Sequence, residues 1–505
     1  MSSRTDARTA VRRPPGGDLI ATLRRSGLLR DLAFVSGEWR PANSGATIDV
    51  TDPATGSAIG TVPDMGVTET RDAIAAADAA FPAWRTLLPQ ERARYLRAWF
   101  SLIIANRGNL AALMTLEQGK PLAESLGEID YAASFVEWFA EEAKRLDGAV
   151  IASHLSNRLM TVRRAPVGVV ACVTPWNFPA AMLTRKAAAA LGAGCTVVAR
   201  PAGETPFTAL ALAELADRAG LPAGVFNVVT GAPEPIVGEL CASPVVRALS
   251  FTGSTEVGKK LLRQGADTVK RMSMELGGHA PFIVFSDVDL DAAVAAAVAA
   301  KFQTTGQDCL AANRIFVHDA IYEDFLTAFA KRVAALKVGN GFAPGVEIGP
   351  LMKARAVAKC EAHVADALAM GGRLLAGGRR HPLGGTFFSP TVIADATDEM
   401  AVFREETFGP VAAISRFSTE GEVIRRANAT DYGLVSYLYA ADHSVIQRVS
   451  GALAFGMVAV NCVKITGAPI PFGGVKESGL GREGGRHGFD EFTDIKYVCA
   501  AWQAA

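Results

Sequence analysis

The stretch from residue 167 to residue 285 constrains the fold most, because short apolar runs rich in Val and Ile alternate in it with helix-like segments. This alternation predicts βαβ units, whose strands form a parallel sheet with right-handed crossovers. The sequence therefore predicts an α/β fold. The predicted strands are 167–173, 196–199, 225–229, 247–251 and 281–285, and the predicted helices are 180–191, 205–219, 234–242 and 255–264.

Length and charge set further limits on the class of protein. The chain has 505 residues, which is too long for one compact core and predicts two or three domains. Its 51 basic side chains equal its 51 acidic ones, so no global field favours nucleic acid or an anionic membrane. The longest uncharged stretch, 165–184, contains three prolines and makes a poor membrane-spanning helix. We expect neither a nucleic-acid nor a membrane partner.

The seven cysteines are scattered along the chain without clustered spacing. An odd number without close pairs argues against a disulfide framework, and no C-x-x-C pair indicates a zinc site. We therefore predict no metal. Reduced thiols are typical of the cytoplasm, which is the expected location.

Outside the first alternating region, segments 67–81 and 90–117 are predicted to be long amphipathic helices that cover the sheet. Segment 287–302 is predicted to be an N-capped, buried helix. A second alternating region follows over residues 314–463. A glycine pair at Gly277 and Gly278 interrupts an apolar run, and we place a domain boundary there.

Cys309 lies in the segment GQDCLAANR, after a glycine-containing turn and before small residues that leave its sulfur reachable. A nucleophilic cysteine needs a lowered pKa, which a helix N-terminus or a nearby cation provides. The alternative is a buried structural thiol. Asp308 opposes thiolate formation if its carboxylate points inward.

Two other polar residues stand in apolar surroundings. Glu275, in the segment MELGG, is a candidate general base if burial raises its pKa, and a salt-bridged structural residue otherwise. Asn177, in TPWNFP, follows the first strand of the predicted sheet, where ligands of α/β proteins bind. Its amide is suited to donating to an oxyanion, although an asparagine in a turn is the simpler interpretation.

The segment FTGSTEVG, residues 251–258, joins the end of a strand to the start of a helix. Backbone N–H groups at a helix start can hold a phosphate. It is not the G-x-G-x-x-G fingerprint, and such turns also need glycine for steric reasons alone. The turn by itself leaves both interpretations open.

These segments occur in one order together with EETFGP and PFGGVKESGLGREGG, and this combination resembles the aldehyde dehydrogenase superfamily from about Leu32 to Tyr497. Within it, the chain is most similar to the succinate-semialdehyde dehydrogenases. The resemblance implies a Rossmann-like cofactor domain, an α/β catalytic domain and a small β oligomerisation element. The expected bounds are 1–17 for a flexible tail, 18–147 and 165–277 for the cofactor domain, 278–480 for the catalytic domain, and 148–164 with 490–505 for the oligomerisation element.

The resemblance also implies the catalytic roles. Cys309 matches the thiolate that attacks the aldehyde, and Glu275 matches the base that activates the hydrolytic water. Asn177 and the backbone N–H of Cys309 match the oxyanion hole. Relatives that transfer the acyl group to coenzyme A lack a glutamate at the Glu275 position, so hydrolysis to the free acid is expected.

For the cofactor, the resemblance implies NADP or NAD. Arg200 stands where the family has lysine, and Gly203 stands where NAD-preferring relatives carry a glutamate for the adenosine ribose. We therefore expect NADP to be somewhat favoured, with Glu204 as the opposing charge. The implied cofactor residues are Thr174, Pro175, Trp176, Arg200, Ala202, Gly203, Gly231, Gly253, Ser254, Val257, Leu276, Glu406 and Phe408.

For the substrate, the resemblance implies a carboxylate clamp made of Arg185, Arg314 and Thr466, and therefore succinate semialdehyde as substrate. Lys464 is an additional cation that favours glutarate semialdehyde. The alternatives are a neutral or ω-amino aldehyde, or a dehydrogenase scaffold that has lost its activity. As in the family, we expect a homodimer or homotetramer.

Overall fold

The computed structural model describes residues 18–503 of the chain, so the predicted tail over residues 1–17 lies outside it. Twenty strands and fifteen α-helices occur within this part. The strands are β1 (Ala33–Val35), β2 (Glu38–Arg40), β3 (Thr47–Thr51), β4 (Ala58–Pro63), β5 (Ala149–Ile151), β6 (Arg158–Pro166), β7 (Val169–Val173), β8 (Thr196–Arg200), β9 (Phe226–Val228), β10 (Val246–Thr252), β11 (Arg271–Glu275), β12 (Ala280–Val284), β13 (Ala312–His318), β14 (Arg373–Ala376), β15 (Thr391–Ala394), β16 (Val411–Phe417), β17 (Val435–Tyr439), β18 (Met457–Val460), β19 (Gly479–Leu480) and β20 (Thr493–Ala501). The helices are α1 (Leu19–Arg25), α2 (Val67–Thr86), α3 (Pro89–Ala105), α4 (Arg107–Gln118), α5 (Leu122–Glu142), α6 (Ala181–Ala193), α7 (Pro206–Arg218), α8 (Pro233–Ala242), α9 (Thr255–Ala266), α10 (Leu290–Phe302), α11 (Tyr322–Ala334), α12 (Ala354–Ala369), α13 (Ala401–Arg404), α14 (Glu420–Asn428) and α15 (His443–Ala452).

The first large sheet has eight strands in the order β19-β11-β10-β7-β8-β9-β1-β2. Its strands β11, β10, β7, β8 and β9 are parallel, and every residue of β7 and β8 is buried. Continuous Val- and Ala-rich runs suit this position, because helices cover both faces of a parallel sheet. The predicted α/β fold is confirmed.

The second large sheet has seven strands in the order β14-β15-β16-β13-β12-β17-β18, and only β14 runs antiparallel to its neighbour. Gly277 and Gly278 lie between β11 of the first sheet and β12 of the second, so the chain passes from one sheet to the other at this pair. A cavity lined by residues from both parts of the chain lies where the two sheets meet.

A third sheet, in the order β20-β6-β5, is small and antiparallel. Strand β20 pairs with β6 from Thr493 opposite Pro166 to Ala501 opposite Arg158. Segments 148–164 and 490–505, predicted to form one element, therefore pair over the part that the structure describes. A two-stranded sheet of β3 and β4 completes the strand pairing of residues 18–503.

The predicted helix over residues 90–117 is two helices in the structure. Helix α3 ends at Ala105 and α4 begins at Arg107, because Asn106 leaves the helical conformation with φ −104° and ψ 12°. Its side-chain amide donates to the carbonyl of Leu102 at 2.8 Å and so caps the end of α3. Across residues 18–503, none of the helices has the length and apolar character needed to cross a membrane.

Candidate active site

A cavity of about 760 Å³ opens between the two large sheets, and Cys309 and Asn177 both line it. Cys309 follows α10 and a tight turn over Gln303–Gly306, and it precedes β13. Asn177 follows β7 of the first sheet. Its side-chain amide donates to the carbonyl of Gln307 at 3.0 Å, which fixes the amide two residues from Cys309. The second N–H of that amide remains available to the cavity.

The backbone N–H of Cys309 has no acceptor among residues 18–503. Together with the free N–H of Asn177, it provides two donors beside the sulfur. Two converging donors are suited to an oxygen that gains negative charge during a reaction. Asn177 and Cys309 thus line the same cavity, and their role as an oxyanion pair stays a prediction.

The Cys309 thiol is in an environment that opposes ionisation. Burial raises its pKa well above the ordinary value, and the neighbouring carboxylates of Asp308 and Glu406 act in the same direction. The guanidinium of Arg185 acts in the opposite direction. Asp308 therefore opposes thiolate formation, as expected from the sequence, and the Cys309 thiol is protonated in this structure.

Glu275, at the end of β11, is buried and does not line the cavity, although its neighbours Leu276 and Gly277 do. Neither of its carboxylate oxygens has a hydrogen-bond partner within the described residues. Burial raises its pKa well above the ordinary value, and the charge of Glu483 adds to this effect. The structure places this carboxyl group behind the cavity wall, where it is kept protonated.

Glu483 is the centre of a buried charge cluster that the sequence did not predict. One of its oxygens pairs with Lys186, and the other pairs with Arg185. The Lys186 ammonium also donates to Thr252 Oγ1 at 2.7 Å, and Thr252 lines the cavity. These cations lower the pKa of Glu483 despite its burial. The cluster thus joins the cavity wall to the carboxylate beside Glu275.

A second buried ion pair, between Lys120 and Glu128, holds the Asn177 segment in place. Their charged atoms are 2.6 Å apart. Lys120 donates to the Asn177 carbonyl at 2.6 Å, and Glu128 accepts from the backbone N–H of Ala180 at 3.0 Å at the start of α6. The pair therefore fixes the backbone on which the Asn177 amide depends.

The glycines of the MELGG segment let two parts of the site approach each other. A Cβ at Gly278 would lie 2.1 Å from the carbonyl oxygen of Cys309. The Gly278 N–H donates to the Glu406 carboxylate at 3.0 Å, and a Cβ at Gly277 would lie 3.0 Å from the other Glu406 oxygen. A side chain at Gly278 would therefore clash with the backbone of Cys309, so glycine is needed for this close approach.

One arm of the cavity has the groups that a nicotinamide dinucleotide requires. Trp176 and Phe408 form an edge-to-face pair with ring centroids 5.5 Å apart. Ser254 caps the twelve-residue helix α9, whose N-terminus is suited to a phosphate. The residues of this arm fit the cofactor by aromatic faces, phosphate donors and a carboxylate for a ribose. The predicted cofactor residues that line the cavity are Pro175, Trp176, Gly253, Ser254, Leu276, Glu406 and Phe408, and the structure adds Arg355 and Lys359.

The other predicted cofactor residues do not line this cavity. Most lie around the ends of neighbouring strands of the first sheet: Thr174 N–H donates to the Arg200 carbonyl, and Arg200 Nη2 donates to the Gly231 carbonyl at 2.8 Å. A Cβ at Gly203 would lie 4.0 Å from that same Nη2. The residues outside the cavity lining are Thr174, Arg200, Ala202, Gly203, Gly231 and Val257.

The other arm of the cavity contains Arg185 and Thr466, as predicted for substrate binding. Arg185 Nη1 is buried and has no partner among the described residues, although Nε is paired with Glu483. Tyr131, not predicted, also lines the cavity, and burial raises the pKa of its hydroxyl while Arg185 and Thr466 act to lower it. Gln303 and Lys464 also line the cavity.

The structure contradicts the prediction that Arg314 forms part of the carboxylate clamp. Arg314 is buried in β13 and donates to the backbone carbonyls of His279, Arg426 and Ala427 at 3.1, 3.1 and 2.9 Å. It lines a separate pocket of about 340 Å³. Its guanidinium is used to join chain segments, so it is not available to a substrate beside Cys309.

The two-sheet α/β fold with a cysteine-lined cavity between the sheets is typical of a dehydrogenase. The model of the aldehyde dehydrogenase family matches residues 39–498. The chain is 54% identical to the NADP(+) succinate-semialdehyde dehydrogenase of Escherichia coli K12 over 477 residues, which cover 94% of this chain and 99% of that protein. It is 53% identical to a glutarate-semialdehyde dehydrogenase of Pseudomonas aeruginosa, over 94% of this chain and 99% of that one.

Structural comparison agrees. A crystal structure of an NADP-dependent enzyme from E. coli has a TM-score of 0.94 and 53% identity, and the match covers 94% of this chain and 99% of that one. The chain belongs to the aldehyde dehydrogenase family. The predicted family, fold and NAD(P)-dependent enzyme class are confirmed.

Proposed function

We propose that this enzyme oxidises an ω-carboxylate semialdehyde to the diacid, with succinate semialdehyde as the substrate. The observation that carries this proposal is the buried Nη1 of Arg185, which has no partner among the described residues, in a cavity that Tyr131 and Thr466 also line. An unsatisfied guanidinium N–H and two hydroxyls complement a carboxylate. The names of the relatives from E. coli and P. aeruginosa support the same class of substrate.

The reaction starts when the Cys309 thiol releases its proton to solvent water in the open cavity and the sulfur attacks the aldehyde carbon, which gives a thiohemiacetal anion. The substrate oxygen takes up the charge and is held by the Asn177 amide and the Cys309 N–H. A nicotinamide cofactor held by Glu406 and Phe408 would supply the hydride acceptor, and the substrate carbon would then remain bonded to Cys309 as a thioester.

Hydrolysis of the thioester needs a base, and Glu275 fills this role after its side chain turns from behind the wall into the cavity. It takes a proton from the water that attacks the thioester carbon, and the acid leaves as the Cys309 sulfur is released. The buried Lys186 and Glu483 pair is close enough to Glu275 to act on the charge of its carboxyl group.

For the cofactor, we propose that NADP is preferred over NAD. Gly203 places no carboxylate beside Arg200, whose Nη2 donates to the Gly231 carbonyl while its Nε has no partner among the described residues and is left for a 2′-phosphate. Glu204, the opposing charge, is paired with Lys353 from the second-sheet part of the chain. This ion pair reduces the repulsion that Glu204 would exert on the phosphate.

A second substrate, glutarate semialdehyde, is favoured by Lys464. Its side chain is exposed at the substrate arm and has no hydrogen bond or ion pair to any other residue in the range 18–503. Arg185, in contrast, shares its charge with Glu483 deep in the protein. A longer ω-carboxylate would reach from Cys309 to this outer cation.

We propose that the described parts of segments 148–164 and 490–505 form the contact between copies in a homodimer or homotetramer. Their three-stranded sheet exposes large apolar side chains, with Val150 75% and Ile495 70% exposed. Such a patch is costly in water and a second copy would cover it. Light scattering of the double variant V150E/I495E should give a smaller mass than wild type, and an unchanged mass would exclude this contact.

We also propose a role for each part of the chain and a location for the protein. Residues 18–147 and 165–277 hold the cofactor, 278–480 carry the nucleophile, and the free cysteines favour the cytoplasm. A steady-state panel tests the function: succinate and glutarate semialdehydes should exceed a neutral aldehyde of equal length in kcat/KM by at least tenfold. Equal values for the neutral aldehyde would exclude the carboxylate clamp.

A further inference from the structure

The turn that precedes the nucleophile has an unusual backbone. Thr304, Thr305 and Gly306 all have positive φ, at 50°, 60° and 71°. Threonine is β-branched and is disfavoured in this left-handed region, so two in succession are retained only where the surroundings impose them. The position of Cys309, three residues after Gly306, depends on this turn.

The second-sheet side of the protein holds the later part of the turn. Thr305 Oγ1 accepts from the Gly349 N–H at 3.0 Å and donates to the Gly349 carbonyl at 3.2 Å. A Cβ at Gly306 would lie 2.4 Å from the Gly409 carbonyl oxygen, so only glycine fits there. These contacts hold Thr305 and Gly306, but they do not hold Thr304, which is contacted from the other side of the turn.

Glu124, on helix α5, provides that support. One of its carboxylate oxygens accepts from the Thr304 N–H at 3.0 Å and from Thr304 Oγ1 at 3.3 Å, and the other lies 3.2 Å from the same N–H. Glu124 and Thr304 both line the cavity. No step of the proposed reaction uses this carboxylate.

We propose that Glu124 is a positioning residue for Cys309, because its carboxylate holds Thr304 in the left-handed conformation that presents the sulfur to Asn177. Gln307 lies between the turn and Cys309, and its carbonyl accepts a hydrogen bond from the Asn177 side-chain amide. A relaxed turn would therefore move Gln307 and Cys309 away from Asn177. The role rests on the proposed function only in taking Cys309 as the nucleophile.

The charge state of Glu124 agrees with this role. Burial raises its pKa to about 7, while Lys120 and the donors of Thr304 act to lower it. The ionised form of Glu124 is thus stabilised by Lys120 and by the N–H and O–H donors of Thr304. Its removal leaves the Thr304 N–H without an acceptor inside the protein.

The test measures alkylation of Cys309 by iodoacetamide, with peptide mass spectrometry to locate the label, alongside kcat and KM for succinate semialdehyde. In Glu124→Ala we expect the labelling rate constant and kcat to fall at least tenfold, with KM within threefold of wild type. Glu137→Ala, at an exposed position on the same helix, should match wild type.

The sharper comparison adds Thr304→Gly, since glycine adopts a positive φ without support. The double variant E124A/T304G should return to within threefold of T304G alone in labelling rate and kcat. If E124A does not fold, E124Q and E124Q/T304G make the same comparison. Wild-type labelling in the Glu124 variants, a loss confined to KM, or no rescue by T304G would each overturn the proposal. Labelling needs no aldehyde oxidation, so a wild-type enzyme inactive on semialdehydes would contradict only the proposed function.

Discussion

Glu275 and Glu483 share one buried region, yet their surroundings drive them to opposite charge states. Glu275 has no hydrogen-bond partner within the described residues, and burial raises its pKa well above the ordinary value. Glu483 pairs with Arg185 and Lys186, and these cations lower its pKa. Two carboxyl groups separated in this way are typical of sites where one exchanges protons and the other stabilises charge.

Glu275→Gln should abolish turnover at the hydrolysis step while leaving hydride transfer intact. The amide cannot accept the proton of the attacking water, so steady-state kcat should fall by about 10²–10⁴-fold. Stopped-flow absorbance should still show a first turnover of reduced cofactor at a rate near that of wild type. A variant with wild-type kcat would show that another group is the base.

Glu483→Gln should move the acidic limb of the kcat profile to lower pH. The Glu483 charge raises the pKa of Glu275, whereas Arg185 and Lys186 lower it. Removing the negative charge and freeing both cations therefore lowers the Glu275 pKa, and the base is ionised at lower pH. The pH dependence of kcat measures this shift, and an acidic limb that stays in place or moves upward would contradict it.

The same variant should be less stable, by about 3–5 kcal/mol, because it leaves two buried cations without their partner. Denaturant unfolding measures this loss. Glu477→Gln, which removes an exposed partner of Lys259, is the matched control and should change stability by about 0–1 kcal/mol.

Gly203→Glu should shift the cofactor preference towards NAD. The new carboxylate would lie next to Arg200, whose Nη2 is 4.0 Å from the Cβ position, and would repel a 2′-phosphate. We expect the ratio of kcat/KM for NADP to that for NAD to fall at least tenfold. Gly203→Ala adds the methyl group without the charge and should keep the ratio near wild type. An unchanged ratio in the glutamate variant would exclude a 2′-phosphate site here.

Lys464→Met should weaken the oxidation of glutarate semialdehyde more than that of succinate semialdehyde. The shorter substrate relies on Arg185, whereas the longer one reaches the exposed ammonium. We expect kcat/KM to fall about tenfold for the five-carbon substrate and less than threefold for the four-carbon one. Lys464→Arg keeps the positive charge, so kcat/KM for both substrates should stay near the wild-type values. Equal losses for both substrates would contradict a separate outer anchor.

Strands β7 to β10 of the first sheet could be predicted from sequence because they are rich in apolar residues, whereas β11 was not predicted and the strand expected over 281–285 is β12 of the second sheet. The prediction over 167–173 corresponds to β7, Val169–Val173, and that over 247–251 lies inside β10, Val246–Thr252. The break at Asn106 was not visible, since the residues on both sides of it continue one helical pattern. Helix α3 ends there because the Asn106 side chain donates to the Leu102 carbonyl.

Pairing over long sequence distances could not be predicted from the sequence. Glu483 meets Lys186 across 297 positions, although a lysine next to an arginine in the apolar helix α6 was a signal that a buried anion exists. Arg314 was assigned to the substrate from its motif, but the carbonyls that bind it belong to segments far away in the chain. Only the folded structure shows which partners satisfy a buried charge.

The central claim is that the Cys309 sulfur forms the covalent bond to the substrate carbonyl carbon. The most direct measurement is the mass of the Glu275→Gln enzyme quenched after one turnover with succinate semialdehyde and NADP, followed by peptide mapping. The account predicts an acyl adduct on the peptide that contains Cys309, with one reduced cofactor formed for each adduct. Reduced cofactor without an adduct, or an adduct on another residue, would contradict it.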